Sequence, residues 1–127
     1  MPRSTVARID LEALRRNFQT AQSRAGGAQV MAVVKADGYG HGIGPVVSAL
    51  DSLAPKFAVA CLEEARAIRE TGLVQPVVLL QGVHAGADIE ECAQQGFEPV
   101  FHSFQQMAWL KCLEARPAFW LKVNSGM

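Results

Sequence analysis

At positions 31–42 the sequence reads MAVVKADGYGHG, an apolar segment that ends at Lys35 and continues into a glycine-rich turn. Short apolar runs that are rich in valine and bounded by turn residues indicate buried strands. We therefore predict a β-strand over residues 30–35, with a lysine at its C-terminal end. An isolated lysine at a strand end more often lies in solvent. A partly buried lysine amine can instead act as a nucleophile and form a Schiff base.

The residues before this strand predict an amphipathic helix. Apolar side chains recur at spacings of three and four, at Leu11, Leu14, Phe18, Ala21 and Ala25. Asp10 is the predicted N-cap, and Gly26-Gly27 is the predicted stop. Five apolar positions are too few for a coiled coil, so a helix packed on a sheet is the preferred interpretation.

A unit of strand, loop and helix then repeats along the chain. The helix after the glycine-rich turn has Pro45 in its first turn and is predicted to run to about Leu53. Further strands are predicted over residues 57–61, 77–80, 99–101 and 118–123. The intervening helices are predicted over residues 62–71, over a segment ending near Gly96, and after Ser103, which forms a capping-box pattern with Gln106.

This alternation predicts an α/β fold with a parallel sheet covered by helices. A repeat of about 20 residues favours a TIM-type (β/α)8 barrel over a doubly wound sheet. Five residues are predicted at or near the C-terminal ends of the strands, where such barrels place their active sites: Lys35, Cys61, Gln81, His102 and Lys122. A complete barrel takes about 250 residues, so we expect only the N-terminal part of one, with about five strands.

Composition excludes several classes of partner. The 127 residues are 50% hydrophobic and 19% charged with a formal net charge of zero, which suits one small globular domain and gives no electrostatic case for nucleic acid or an anionic membrane. No apolar run approaches the roughly 18 residues of a membrane span. Three cysteines without a C-x-x-C pair argue against a disulfide framework or a zinc site. A cytoplasmic protein without a bound metal is expected.

The segment at residues 35–42, KADGYGHG, resembles the pyridoxal-phosphate lysine signature of alanine racemases. Further resemblance lies at residues 9–14, 57–66 and 120–127. The resemblance implies that Lys35 carries pyridoxal 5'-phosphate as its Schiff-base lysine and acts as one catalytic base. It also implies that Tyr39 hydrogen-bonds the cofactor phosphate. Lys122 matches a family lysine that can be carbamylated, the alternative being a strand-end lysine that reaches solvent.

The resemblance further implies that the parent protein racemises L- and D-alanine by a two-base mechanism, with D-alanine serving the bacterial cell wall. Family members are homodimers with a C-terminal β domain after the barrel, and the opposing base is a tyrosine from that domain of the partner subunit. We therefore expect residues 1–127 to be the N-terminal portion of the cofactor-binding barrel domain and to be inactive alone. Other pyridoxal-phosphate barrels, namely amino-acid decarboxylases and small non-catalytic carriers, lack the 35–42 segment.

The remaining polar residues carry weaker signals. The glycines at positions 38, 40, 42 and 44 fit no nucleotide-binding spacing and are interpreted as turn residues. His41 either orients a neighbour in the same loop or is a solvated or backbone-bonded histidine, and His102 is a candidate for a pocket wall. Glu63-Glu64 and Glu90-Glu91 are predicted on solvated helix faces, not as a catalytic carboxylate pair.

Overall fold

The structure is a computed structural model and describes residues 4–127. Its strands are β1 (Ala32–Val33), β2 (Phe57–Val59), β3 (Val77–Leu79), β4 (Phe97–Phe101) and β5 (Trp120–Leu121). Its helices are α1 (Leu11–Arg24), a short turn α2 (Lys35–Gly40), α3 (Ile43–Leu50), α4 (Leu62–Glu70), α5 (Gly86–Gln95) and α6 (Phe104–Trp109), the last followed by a 3₁₀ turn (Leu110–Cys112).

The five strands form one parallel sheet in the order β1-β2-β3-β4-β5. Each strand pairs with the next one along the chain, without the reversal of order that defines a doubly wound sheet. Sequential parallel strands joined by helices are the arrangement of a (β/α)8 barrel. The predicted fold class is confirmed, and residues 4–127 contain five of the eight strands of such a barrel.

The two faces of the sheet bury different sets of residues. Alternate strand residues such as Phe57, Leu79 and Phe101 pack against the helices in the main core and are fully buried. The opposite face carries a second cluster made of Ala58, Val78 and Val100, with Met31 and Leu80 beside it. In a barrel this second face is the interior.

Several helix ends match the sequence pattern. Asp10 Oδ1 accepts a hydrogen bond of 2.9 Å from the backbone N–H of Ala13, as an N-cap does. Gly96 closes α5 with a left-handed φ of +69°. The Ser103 hydroxyl accepts from the N–H of Gln106 at 3.3 Å at the start of α6.

The first and last strands are shorter than predicted. Residues 30–35 give only Ala32–Val33, and residues 118–123 give only Trp120–Leu121. Each of these strands pairs along one side only in the described sheet, so fewer ladder hydrogen bonds define it. No helix among residues 4–127 combines the length and hydrophobicity needed to cross a membrane.

Candidate active site

The polar residues singled out from the sequence gather at one edge of the sheet. Lys35, Cys61, Gln81, His102 and Lys122 each follow the end of a strand by one or two residues. Since all strands are parallel, these residues lie at the same edge. This is the edge at which barrel enzymes carry out their chemistry.

Lys35 begins the turn that leaves β1. The N–H of Val34 still donates to the carbonyl of Ala58 at 2.8 Å, and the chain then bends at Val34, where ψ is 23°. Lys35 is half-buried at this bend. Lys35 is therefore the first residue beyond the sheet, whereas the sequence predicts it as the last residue of the strand.

The next four residues form a left-handed turn. The φ angles are +51° at Ala36, +54° at Asp37, +63° at Gly38 and +56° at Tyr39, and all four ψ angles lie between 38° and 53°. Left-handed backbone costs an L-residue about 1–2 kcal/mol, and three of these residues are not glycine. Strain of this kind persists only where surrounding contacts enforce it, and it concentrates at functional sites.

Two carboxylates hold this turn at its ends. Glu64 Oε1 accepts from the N–H of Ala36 at 2.7 Å, and Glu64 Oε2 accepts from the N–H of Ala60 at 2.8 Å. Asp37 Oδ1 accepts from the N–H of Ile43 at 2.7 Å, at the N-terminus of α3. A carboxylate is stabilised at such a helix end by the unpaired N–H groups.

His41 completes the turn through its backbone contacts. Its Nδ1 lies 3.0 Å from the carbonyl oxygens of both Gly38 and Tyr39. Of the two interpretations of this histidine, the structure shows the backbone-bonded one.

The predicted position of Glu64 on a solvated face is wrong, because both of its oxygens accept backbone hydrogen bonds. Glu91 also differs from a simply solvated residue: Arg66 donates to both of its oxygens, at 2.7 and 2.6 Å. This guanidinium lowers the pKa of Glu91 below its usual value. The sequence contains a pattern that could have predicted this role: Glu64 lies in the first turn of a helix, where a glutamate can accept hydrogen bonds from preceding N–H groups.

Tyr39 and Lys122 line different cavities at this edge. Tyr39, whose side chain is 59% exposed, lines a cavity of about 280 Å³ between α1 and β1 together with Phe18 and His41. Lys122 is exposed and lines a cavity of about 360 Å³ with His102 and Met107. Lys35 lines neither cavity. His102 thus forms a cavity wall, as predicted.

Backbone pairing fixes the side of the sheet on which Lys122 lies. Its N–H donates to the carbonyl of Phe101 at 2.8 Å, which continues the ladder of β5 beyond Leu121. Lys122 therefore lies on the same face as Trp120, two residues earlier, and Trp120 pairs with Val100 of the interior cluster. A further cavity of about 550 Å³ lies beside α5 and residues 112–115, away from this edge.

The residue types in this turn suit pyridoxal phosphate. The cofactor needs an amine at its aldehyde and hydrogen-bond donors at its phosphate, and Lys35 and Tyr39 provide an amine and a phenol within one turn. Burial raises the pKa of the Cys61 thiol, which lowers the fraction present as the reactive thiolate. Among residues 4–127 no three His, Cys, Asp or Glu side chains are grouped as metal ligands.

Comparison with known proteins gives a consistent result. The family model described as "Alanine racemase, N-terminal domain" matches residues 9–127. The alanine racemase of Marinobacter nauticus is 58% identical over 127 residues, which are 100% of this chain and 35% of that protein. The chain therefore spans about a third of the length of the curated relatives it matches.

Solved structures agree with this match. The alanine racemase from Acinetobacter baumannii has a TM-score of 0.88 at 39% identity, and the alignment covers 94% of this chain and 35% of that one. The biosynthetic alanine racemase from Pseudomonas aeruginosa has a TM-score of 0.87 at 37% identity, with 94% and 34% covered.

Proposed function

This chain belongs to the alanine racemase N-terminal domain family, and from that premise we propose that the full-length protein interconverts L- and D-alanine with pyridoxal 5'-phosphate. Residues 1–127 are the N-terminal portion of its cofactor-binding barrel domain. The observation that carries the proposal is the strained turn after Lys35. Three non-glycine residues with positive φ, fixed by side-chain carboxylates, directly follow the lysine at the C-terminal end of β1.

Lys35 and Tyr39 have distinct roles in this proposal. Lys35 holds the cofactor through Nζ, and Tyr39 donates its phenol hydrogen to the phosphate. When bound, the cofactor supplies an electron sink that makes the α-proton of the amino acid removable. The turn holds the backbone positions from which these two side chains extend.

Racemisation needs a base on each face of the reacting carbon, so that a proton taken from one side can be returned to the other. Lys35 Nζ is the base on one face. The opposing base comes from the C-terminal domain of a partner subunit in a homodimer, so residues 1–127 alone are inactive. D-alanine made by the full-length protein serves the bacterial cell wall.

Lys122 has a supporting role. Carbamylation of its amine would replace a positive charge by a negative one on the interior face of the sheet. Lys122 lines the same cavity as His102, at the edge of the sheet where Lys35 lies.

The test is a chiral assay of the full-length protein. L-Alanine should be converted to an equal mixture of the enantiomers, and Lys35→Ala should lower the rate by about 10²–10⁴-fold or more, as expected for loss of an essential base. Lys111→Ala is the matched control, because Lys111 is an exposed lysine beyond α6. A Lys35→Ala protein that racemises alanine at the unsubstituted rate would refute the proposal.

A further inference from the structure

Glu64 connects the ends of two neighbouring strands. It lies in the first turn of α4, which follows β2, and its two oxygens bind separate N–H groups. One belongs to Ala36, after β1, at 2.7 Å, and the other to Ala60, after β2, at 2.8 Å. Hydrogen bonds to an ionised carboxylate are roughly twice as strong as neutral ones.

The bond to Ala36 acts on the backbone of Lys35. The N–H of Ala36 belongs to the peptide unit whose carbonyl is that of Lys35, and this unit is planar. The preceding residue is held by the bond from Val34 N–H to the carbonyl of Ala58. With both sides held, ψ of Lys35 and the direction of its Cα–Cβ bond are restrained. Asp37 holds the far end of the same turn through Ile43 and does not touch this peptide unit.

The turn needs such an acceptor because its backbone is strained. Ala36 is the first of the residues with positive φ, at +51°. If its N–H lost its partner, the residue would lose a contact that opposes relaxation to a right-handed or extended conformation. The Cα–Cβ bond of Lys35 would then no longer be held in one direction.

We propose that Glu64 is a positioning residue for Lys35. The inference rests on the proposed function, since it assigns Glu64 the task of directing the lysine that holds the cofactor and moves the proton. Glu64 acts through the backbone and does not itself contact the substrate. A misplacement of a catalytic group by about 1 Å can cost about 10²-fold in rate.

Glu64→Gln is the sharpest variant. It keeps the shape of the side chain but replaces one oxygen by NH₂, which would face an N–H donor. The matched control is Glu63→Gln, which removes the same charge from the same helical turn. Glu63 is exposed and accepts no hydrogen bond from residues 31–42. The pKa of its carboxyl is lowered by its own N–H and by the Cys61 thiol.

Four quantities should be measured on the full-length protein: kcat, KM, the absorbance spectrum of the bound cofactor, and hydrogen exchange of the peptide covering residues 31–42 in cofactor-free protein. For Glu64→Gln we expect kcat to fall about 10–100-fold with a much smaller change in KM. We also expect a shifted spectrum and faster exchange in that peptide.

Glu63→Gln should match the unsubstituted protein in all four quantities. If Glu64→Gln does not fold, Glu64→Asp retains the charge but is too short for both N–H groups, and the same changes are expected in smaller size.

The outcomes separate the two proposals. A Glu64→Gln protein with a lower melting temperature but unchanged kcat, spectrum and exchange would overturn the positioning role, provided that Lys35→Ala is inactive. An unsubstituted full-length protein without racemase activity would overturn the proposed function, and this inference with it.

Discussion

The indole Nε1 of Trp120 donates a hydrogen bond of 2.7 Å to Oε2 of Glu98. The same carboxylate forms an ion pair with Lys56, whose Nζ lies 2.6 Å from it and 5.3 Å from the centre of the Trp120 ring. These residues come from the start of β5, from β4 and from just before β2, so the cluster spans four strands of the sheet on its interior face.

Removal of the Glu98 carboxylate should therefore destabilise the protein. Its side chain is only 12% exposed, and Glu98→Ala would leave Lys56 without its counter-charge and Trp120 without its acceptor. The expected loss is about 1–3 kcal/mol in the free energy of unfolding, measured by urea denaturation. Glu114→Ala, at an exposed glutamate, is the control. Equal stability of the two variants would show that the cluster contributes nothing.

Gly82 should not tolerate a side chain. Its φ is +75°, and a Cβ there would lie 2.5 Å from the carbonyl oxygen of Val100 and 3.0 Å from Nε2 of Gln106. Gly82→Ala should lower stability by about 2–4 kcal/mol through backbone strain and overpacking.

Gly44→Ala provides the contrast to that variant. Gly44 lies in α3, and a Cβ there would meet nothing within 4 Å apart from its chain neighbours. This substitution should change stability by less than about 1 kcal/mol, because the better helix propensity of alanine opposes the restriction that Pro45 places on the residue before it. Thermal melts that rank the two variants in the opposite order would contradict the packing described around Gly82.

The Arg66–Glu91 pair should make stability depend on pH in the acid range. Arg66 lowers the pKa of Glu91 in the folded state below its ordinary value of 4.5. The stabilisation is therefore complete above pH 4.5 and is lost as the pH falls through the folded-state pKa. Glu91→Gln should lower the melting temperature at neutral pH, and the gap to the unsubstituted protein should close as the pH falls below the folded-state pKa of Glu91. If the difference in melting temperature stays constant as the pH falls through the acid range, the Arg66–Glu91 pair is not the cause of the pH dependence.

Much of the fold could be predicted because its signals are local. The strands and helices follow from apolar periodicity, and the caps at Asp10, Gly96 and Ser103 follow from residue type. The position of Lys35 at a strand end follows from the valine run before it. The parallel order then brings Lys35 and Lys122 to one edge of the sheet without any further assumption.

The details of the site could not be predicted for equally physical reasons. Ala36, Asp37 and Tyr39 have no intrinsic preference for positive φ strong enough to show in the sequence, so the turn was expected to owe its shape to glycine. Glu64 finds its partner Ala36 28 residues earlier in the chain. The contact forms because α4 packs beside the end of β1, and this packing cannot be inferred from local sequence patterns.

The most direct test of the account is borohydride reduction of the full-length protein with pyridoxal phosphate, followed by mass spectrometry of its peptides. Residues 1–127 contain four lysines, Lys35, Lys56, Lys111 and Lys122. We expect the reduced cofactor on Lys35, and we expect Lys35→Ala to abolish this labelling. Labelling of another lysine in the unsubstituted protein, or undiminished labelling in Lys35→Ala, would contradict it.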